Sequence, residues 1–144
     1  MIGLLLAGLL AAAPTDGFLE RNAGRPGVHL LPSGVQYRVL EAAPKGAAAP
    51  SVDDRVTVHY EGRFLTGGVF DSSLARGEPA TFPLKGLIRC WVEVLPKMRV
   101  GDDWTVFCPS DTAYGPVGAG DDIPPNTVLA FRIKLLAIAP AKAP

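Results

Sequence analysis

No stretch of this 144-residue chain is dominated by charge of one sign: fourteen basic and fourteen acidic side chains cancel, and neither kind gathers into a block. A nucleic-acid-binding surface needs clustered Lys and Arg, so that class is excluded. Long apolar runs are missing too. The longest, residues 1–13, is too short to cross a bilayer as a helix. Histidine and cysteine are scarce, with two of each. There is no His-Glu-x-x-His, no Cys-x-x-Cys and no Gly-x-x-x-x-Gly-Lys, which removes zincin, thioredoxin-like and P-loop readings. The acidic pairs Asp53-Asp54, Asp102-Asp103 and Asp121-Asp122 lack any EF-hand loop around them and read as solvated caps. No metal site and no cofactor are expected.

What is present points to a packed domain with many turns. Apolar residues make up 48% of the chain, the level of a protein that buries a core. Sixteen Gly and fourteen Pro are a high number for this length and favour short strands over long helices. Residues 1–13 have the apolar character of a signal peptide, with Ala11-Ala12-Ala13 as a small-residue cleavage site. Export to the periplasm or beyond is the expectation, with no stable membrane insertion once the leader is removed; a cytoplasmic or leader-anchored location is the alternative. Cys90 and Cys108 read either as two small buried hydrophobes or, in an exported protein, as a disulfide.

Residues 14–30 form an N-terminal extension in which 15–24 is a candidate short helix closed by Gly24. Val35, Tyr37 and Val39 alternate with polar neighbours, the period of a strand. The clearest strand is 55–64, with Val56, Val58 and Tyr60 on one face and Thr57, His59 and Glu61 on the other. A turn at Thr66-Gly67-Gly68 leads into a short strand from Val69. Residues 87–95 are the helical candidate of the core half, with Leu87, Trp91 and Leu95 at every fourth place and Pro96 as its stop. Residues 103–107 and 128–138 are two further strands. About five antiparallel strands around one short helix make an α+β domain over 31–138, followed by a tail, 139–144.

Asp71-Ser72-Ser73 and His59 supply the residue types of a hydrolase triad, but no Gly-x-Ser-x-Gly elbow presents a nucleophile. Asp71 reads instead as an Asx-turn, its carboxylate accepting from a backbone N–H two residues on. Gly118-Ala119-Gly120 is followed at once by two aspartates that would repel a phosphate, and reads as a loop.

The aromatic and β-branched residues that remain recur in a specific order. Leu-Pro-Ser-Gly-Val-Gln-Tyr-Arg-Val-Leu (31–40), Val-Thr-Val-His-Tyr-Glu-Gly (56–62), Phe-Asp-Ser-Ser (70–73) and Arg-Gly-Glu-Pro-Ala-Thr-Phe-Pro-Leu (76–84) come first. Trp91, Met98-Arg99-Val100-Gly101, Ala113-Tyr114-Gly115 and Ile123-Pro124-Pro125-Asn126-Thr127-Val128-Leu129 follow. Over about residues 31–138 the chain resembles the FKBP-type (macrolide-binding immunophilin) prolyl isomerases, and within them the bacterial exported subgroup typified by the macrophage infectivity potentiator.

The resemblance implies rotation about X–Pro peptide bonds in an apolar pocket, with proline-containing polypeptides as substrates and macrolide-type molecules as inhibitors. It implies Trp91 as the floor, and Tyr60, Phe70, Leu87, Ile88, Ile123 and Phe131 as walls. Asp71 and Tyr114 would be the polar groups near the substrate carbonyls, the Ile88 N–H a donor, and Arg76 the partner of the Asp and Tyr side chains. Asp71, Tyr114, Trp91 and Phe131 are the expected catalytic set. Ala80 departs from relatives that carry a pocket aromatic there, which implies a more open wall. A non-catalytic peptide- or macrolide-binding module of the same fold is the alternative function.

Overall fold

The computed structural model describes residues 17–140. The expected leader, 1–13, and most of the expected tail lie outside the described residues.

A single antiparallel sheet of seven strands carries the domain. After the helix α1 (Phe18–Ala23) come β1 (Val28–Leu30), β2 (Gln36–Glu41), β3 (Arg55–Phe64) and β4 (Val69–Ser72). The short helix α2 (Ser73–Arg76), β5 (Ala80–Pro83) and α3 (Arg89–Val94) follow, then β6 (Asp103–Cys108) and β7 (Leu129–Ala139). The spatial order is β1-β2-β6-β7-β3-β4, and β5 pairs with β3 along the same edge as β4. On that edge β4 pairs with the end of β3 (Glu61 to Arg63) and β5 with its start (Arg55 to Val58), so the chain folds out through α2 between them.

Alternation decides which face is covered. Val56, Val58 and Tyr60 of β3 point inward together with Leu129, Phe131, Ile133 and Leu135 of β7, and all are buried. Trp104, Val106 and Cys108 of β6 extend the same face. Near one end the β3–β7 register slips between Thr57 and Val58, so that Leu135 and Ile138 both oppose inward valines. The extra residue of this bulge keeps the apolar face continuous. The sheet curls around α3, whose Cys90, Trp91 and Val94 are buried against it with Leu84, Leu95 and Met98 from the flanking turns.

Five expected strands and both expected helices are present. β1 and β5 are additional: β1 has only three residues and β5 contains Pro83, so neither leaves a clear alternation signal in the sequence. The core helix is shorter than residues 87–95. Leu87 and Ile88 are extended (Ile88 φ −61°, ψ 152°), and the helix begins at Arg89. Pro96 does not stop the chain's turning; it sits inside a 3-10 turn, Leu95–Lys97, where its missing N–H costs nothing. Asp102 and Asp103 are buried rather than solvated. The Asp102 carboxylate accepts from the Ala43 and Arg99 N–H groups, both at 2.7 Å, and Asp103 takes a two-pronged bond from Arg132 at 2.7 and 3.1 Å. Cys90 and Cys108 are joined in a disulfide.

Candidate active site

The inward face of the sheet leaves one gap filled only by rings. At position 62 the inward place on β3 is a glycine, and a Cβ there would stand 2.5 Å from the Phe70 ring and 2.9 Å from the Phe131 ring. Both rings therefore lie over bare backbone, edge to face with centroids 5.7 Å apart. Trp91, on the buried side of α3, is in T-shaped contact with three rings: Phe131 at 5.2 Å, Tyr60 at 5.3 Å and Phe82 at 6.2 Å. Its Nε1 has no hydrogen-bond partner among the described residues, so packing alone orients the indole.

These rings enclose a hollow of about 180 Å³ lined by Tyr60, Phe70, Asp71, Phe82, Leu87, Ile88, Trp91, Tyr114 and Phe131. It is small beside the ~300–1,000 Å³ of pockets that take drug-sized ligands, and fits a single ring of a substrate residue. Leu87 and Ile88 belong to the wall because the chain is still extended there. Ile88 precedes the helix, so its N–H lies outside the i→i−4 ladder of α3.

One edge of the hollow is polar. The Tyr60 hydroxyl donates to Asp71 Oδ2 at 2.5 Å, Arg76 Nη1 donates to Asp71 Oδ1 at 2.6 Å, and Arg76 Nη2 donates to the Tyr60 oxygen at 3.1 Å. The guanidinium also lies 5.7 Å from the Tyr60 ring centroid. Burial alone would raise the Asp71 carboxyl, but the bonds from Tyr60 and Arg76 outweigh it and hold Asp71 below the usual carboxylate range. Burial, reinforced by the bond to Asp71, pushes the Tyr60 hydroxyl up, and burial followed by the Asp71 charge does the same to Tyr114. Asp71 is thus a fixed carboxylate and both tyrosines are neutral donors. None of these shifts brings a group close to neutrality, where acid–base catalysis operates.

Eight of the ten residues expected from the sequence line the hollow: Tyr60, Phe70, Asp71, Leu87, Ile88, Trp91, Tyr114 and Phe131. Arg76 holds the polar edge from outside it. Ile123 does not line the hollow. Its backbone closes a tight bridge with Ala119 (N···O 2.9 and 3.1 Å) and its side chain is buried in the core. That bridge requires Gly118: φ is +72°, and a Cβ would meet the Ile123 carbonyl at 2.3 Å. Phe82 was missed. It lies two places after Ala80 on β5, and that alternation is a signal which would have found it. The Asp71 carboxylate is bonded by Tyr60 and Arg76, and its backbone bond is to the Ser72 N–H, one residue on, rather than to the N–H two residues on of the expected Asx-turn. His59 Nδ1 is 2.9 Å from Ser73 Oγ, and Ser73 also bonds the Tyr60 backbone, so the two serve the β3–α2 junction rather than a triad.

The comparisons with known proteins agree with this geometry. A family model described as FKBP-type peptidyl-prolyl cis-trans isomerase matches residues 46–136. The peptidyl-prolyl cis-trans isomerase Mip of Coxiella burnetii is 45% identical over 127 residues, covering 88% of this chain and 54% of the relative. The FKBP-type 22 kDa isomerase of Escherichia coli is 48% identical over 127 residues, covering 88% and 61%. The solved structure of FkpA from Escherichia coli superposes with a TM-score of 0.83 at 37% identity, covering 88% of this chain and 58% of that one. A peptidyl-prolyl isomerase structure from Pseudomonas syringae gives 0.79 at 37% identity, covering 85% and 88%. The chain spans just over half the length of the curated relatives Mip and the 22 kDa isomerase. With a matching model over most of the described fold and a ring-walled hollow within the matched segment, this chain belongs to the FKBP-type peptidyl-prolyl cis-trans isomerase family.

Proposed function

We propose that the chain catalyses cis–trans isomerisation of X–Pro bonds in polypeptides, with the proline ring seated on Trp91. The observation that carries this reading is the hollow itself, walled by the rings of Tyr60, Phe82, Trp91 and Phe131 with a polar edge on one side.

The X–Pro bond turns slowly because amide resonance must be broken, a barrier of about 18–20 kcal/mol. Resonance makes the planar amide polar. Twisting it localises the nitrogen lone pair and shrinks the dipole. Water favours the polar planar form, so an apolar enclosure favours the twisted one by comparison. Walls that fit the rotated ring better than either planar isomer add to the effect. The Tyr114 hydroxyl and the Ile88 N–H hold substrate carbonyls while the other side of the bond turns. Asp71, kept ionised by Tyr60 and Arg76, fixes the Tyr60 ring in the wall. Each 1.36 kcal/mol of differential stabilisation is worth about tenfold in rate, so a few such effects suffice, with no covalent bond and no proton transfer.

The isomerase domain, on this reading, is residues 31–138, with α1 and β1 as its lead-in. Export is the compartment we infer. It is supported by the apolar residues 1–13, by a buried disulfide, which persists in oxidising compartments, and by a relative of Legionella longbeachae named outer membrane protein MIP, 43% identical over 129 residues. No helix among the described residues is long and apolar enough to cross a membrane. Macrolide-type inhibitors are expected to compete for the same hollow.

The test is exchange of a short X–Pro peptide followed by NMR without a coupled protease. Exchange well above buffer is expected. A rate equal to buffer, with peptide still bound, would leave a binding module in place of an enzyme. Amino-terminal sequencing of protein from a bacterial periplasm tests export: a chain starting after Ala13 is expected, and an intact Met1 in the cytoplasm contradicts it.

A further inference from the structure

We propose that the Cys90–Cys108 disulfide is a positioning device for the isomerase hollow, fixing its floor relative to its rim; this rests on the activity proposed above. The bond joins the second residue of α3 to the last residue of β6, with Cα atoms 5.7 Å apart. Trp91, the floor, follows Cys90 directly, and Ile88 stands two places before it. Cys108 is followed by Pro109 and the 3-10 turn Ser110–Thr112, and Tyr114 stands two places beyond that turn. One covalent bond thus ties the helix that carries the floor to the segment that launches the rim. With two cysteines in the chain, it is the only disulfide the protein can make within itself.

Among the described residues nothing else polar does this job. The rim segment is held by backbone bonds of its own loop: Thr112 N–H to Pro109 O at 2.9 Å, Gly115 N–H to Ser110 O at 2.9 Å and Asn126 N–H to Gly115 O at 2.8 Å. The helix is anchored through Glu93, which accepts from Ser33 Oγ and from Arg89 on its own turn. Among the described residues no hydrogen bond joins 89–94 to 109–115. A helix of six residues has little stability of its own, and the Trp91 indole has no hydrogen bond to orient it. Yet the proposed reaction needs the indole face and the Tyr114 hydroxyl on opposite sides of one residue. A misplacement of about 1 Å in such a site can cost on the order of a hundredfold in rate. Both cysteines are fully buried, so a dissolved thiol cannot reach the sulfurs in the folded chain. The bond is a permanent brace and not a redox switch.

Two variants of the full chain separate bracing from simple stabilisation. Cys90→Ala/Cys108→Ala removes the bond and leaves a gap, whereas Cys90→Ala/Cys108→Val removes the bond and refills the space. The second carries the test should the first fail to fold. X–Pro exchange is measured well below each melting point, with the folded fraction fixed by circular dichroism. We expect kcat/KM to fall about tenfold in the refilled variant even though the refilled gap raises its melting temperature above that of the double-alanine variant. We also expect the Trp91 indole and Tyr114 ring resonances to shift, while Trp104, stacked on Tyr37 at 4.1 Å, keeps its own. A refilled variant with the wild-type rate and unmoved Trp91 and Tyr114 resonances overturns the proposal. So do two titratable thiols in denatured protein purified from an oxidising compartment. A wild-type protein without exchange activity speaks against the enzyme reading alone, and the ring resonances still decide the brace.

Discussion

At the scale of single residues, the polar edge of the hollow is an electrostatic arrangement whose charge state is stable over a wide pH range. The folded Asp71 carboxyl titrates below its unfolded value of about 3.9. Its contribution to stability is therefore complete above about pH 4 and is lost as pH falls through the lower folded value. Tyr60 and Tyr114 are shifted the other way, above about 10. Their contribution is complete below that point and fades as pH rises through the folded values. From about pH 5 to 9 none of the three changes state, so kcat/KM should be flat there. A limb centred near pH 7 in the exchange rate would mean that a proton-transfer group has been overlooked. Arg76→Ala should leave the melting temperature nearly unchanged, because its ion pair is half exposed and exposed pairs are worth about 0–1 kcal/mol. It should still slow exchange several-fold by releasing Asp71 and the Tyr60 ring. Asp71→Ala, Trp91→Leu and Phe82→Ala should each lower kcat/KM by about tenfold or more, roughly 1.4 kcal/mol of transition-state stabilisation. Wild-type rates in the Trp91 and Phe82 variants would place catalysis elsewhere.

At the scale of elements, β3 is the organising strand. It pairs with β7 along one edge and with β4 and β5 along the other, and its alternation sends Val56, Val58 and Tyr60 inward. Glycine at the next inward place makes room for the Phe70 and Phe131 rings. Gly62→Ala should force those rings apart at a cost of about 1–3 kcal/mol, the usual range for overpacking. Loss of exchange activity should accompany the lower melting temperature, and an unchanged rate would show that the two rings are free to rearrange. The strand was plain in the sequence from its period of two, down to both end residues. The extended start of α3 was not. Leu87 shares the fourfold spacing of Trp91 and Leu95, so periodicity assigns it to the helix, whereas the fold holds it extended to line the hollow. Ile123 went the other way. The family resemblance implied a wall position for it, and a backbone bridge with Ala119 draws it into the core.

At the scale of the whole molecule, the sheet curls around one short helix, and the only cross-link lies between the two. A loop closed over eighteen positions stabilises by about 3 kcal/mol through loss of unfolded-state freedom. Removing it should lower the melting temperature by roughly 10 °C for a chain of this size. Because the cysteines are buried, a dithiol added to the native protein should reduce nothing, while the same dithiol in denaturant should expose two thiols. Reduction under native conditions would show that the helix end opens readily. Composition was informative at this scale as well: balanced charge and the missing metal and nucleophile motifs fit a site that works by enclosure, and the described residues contain such an enclosure.

The order of residues alone determined the fold class and the strands that alternate, because side-chain period and turn chemistry act over a few neighbouring positions; most members of the ring-walled hollow were implied by the family resemblance of its ordered motifs. Only the tertiary structure decided that Cys90 meets Cys108, that Phe82 belongs to the hollow and Ile123 does not, and that Asp71 meets Tyr60 and Arg76. Those outcomes depend on which distant segments the curl of the sheet brings within a few ångströms, and no local pattern along the chain encodes that distance.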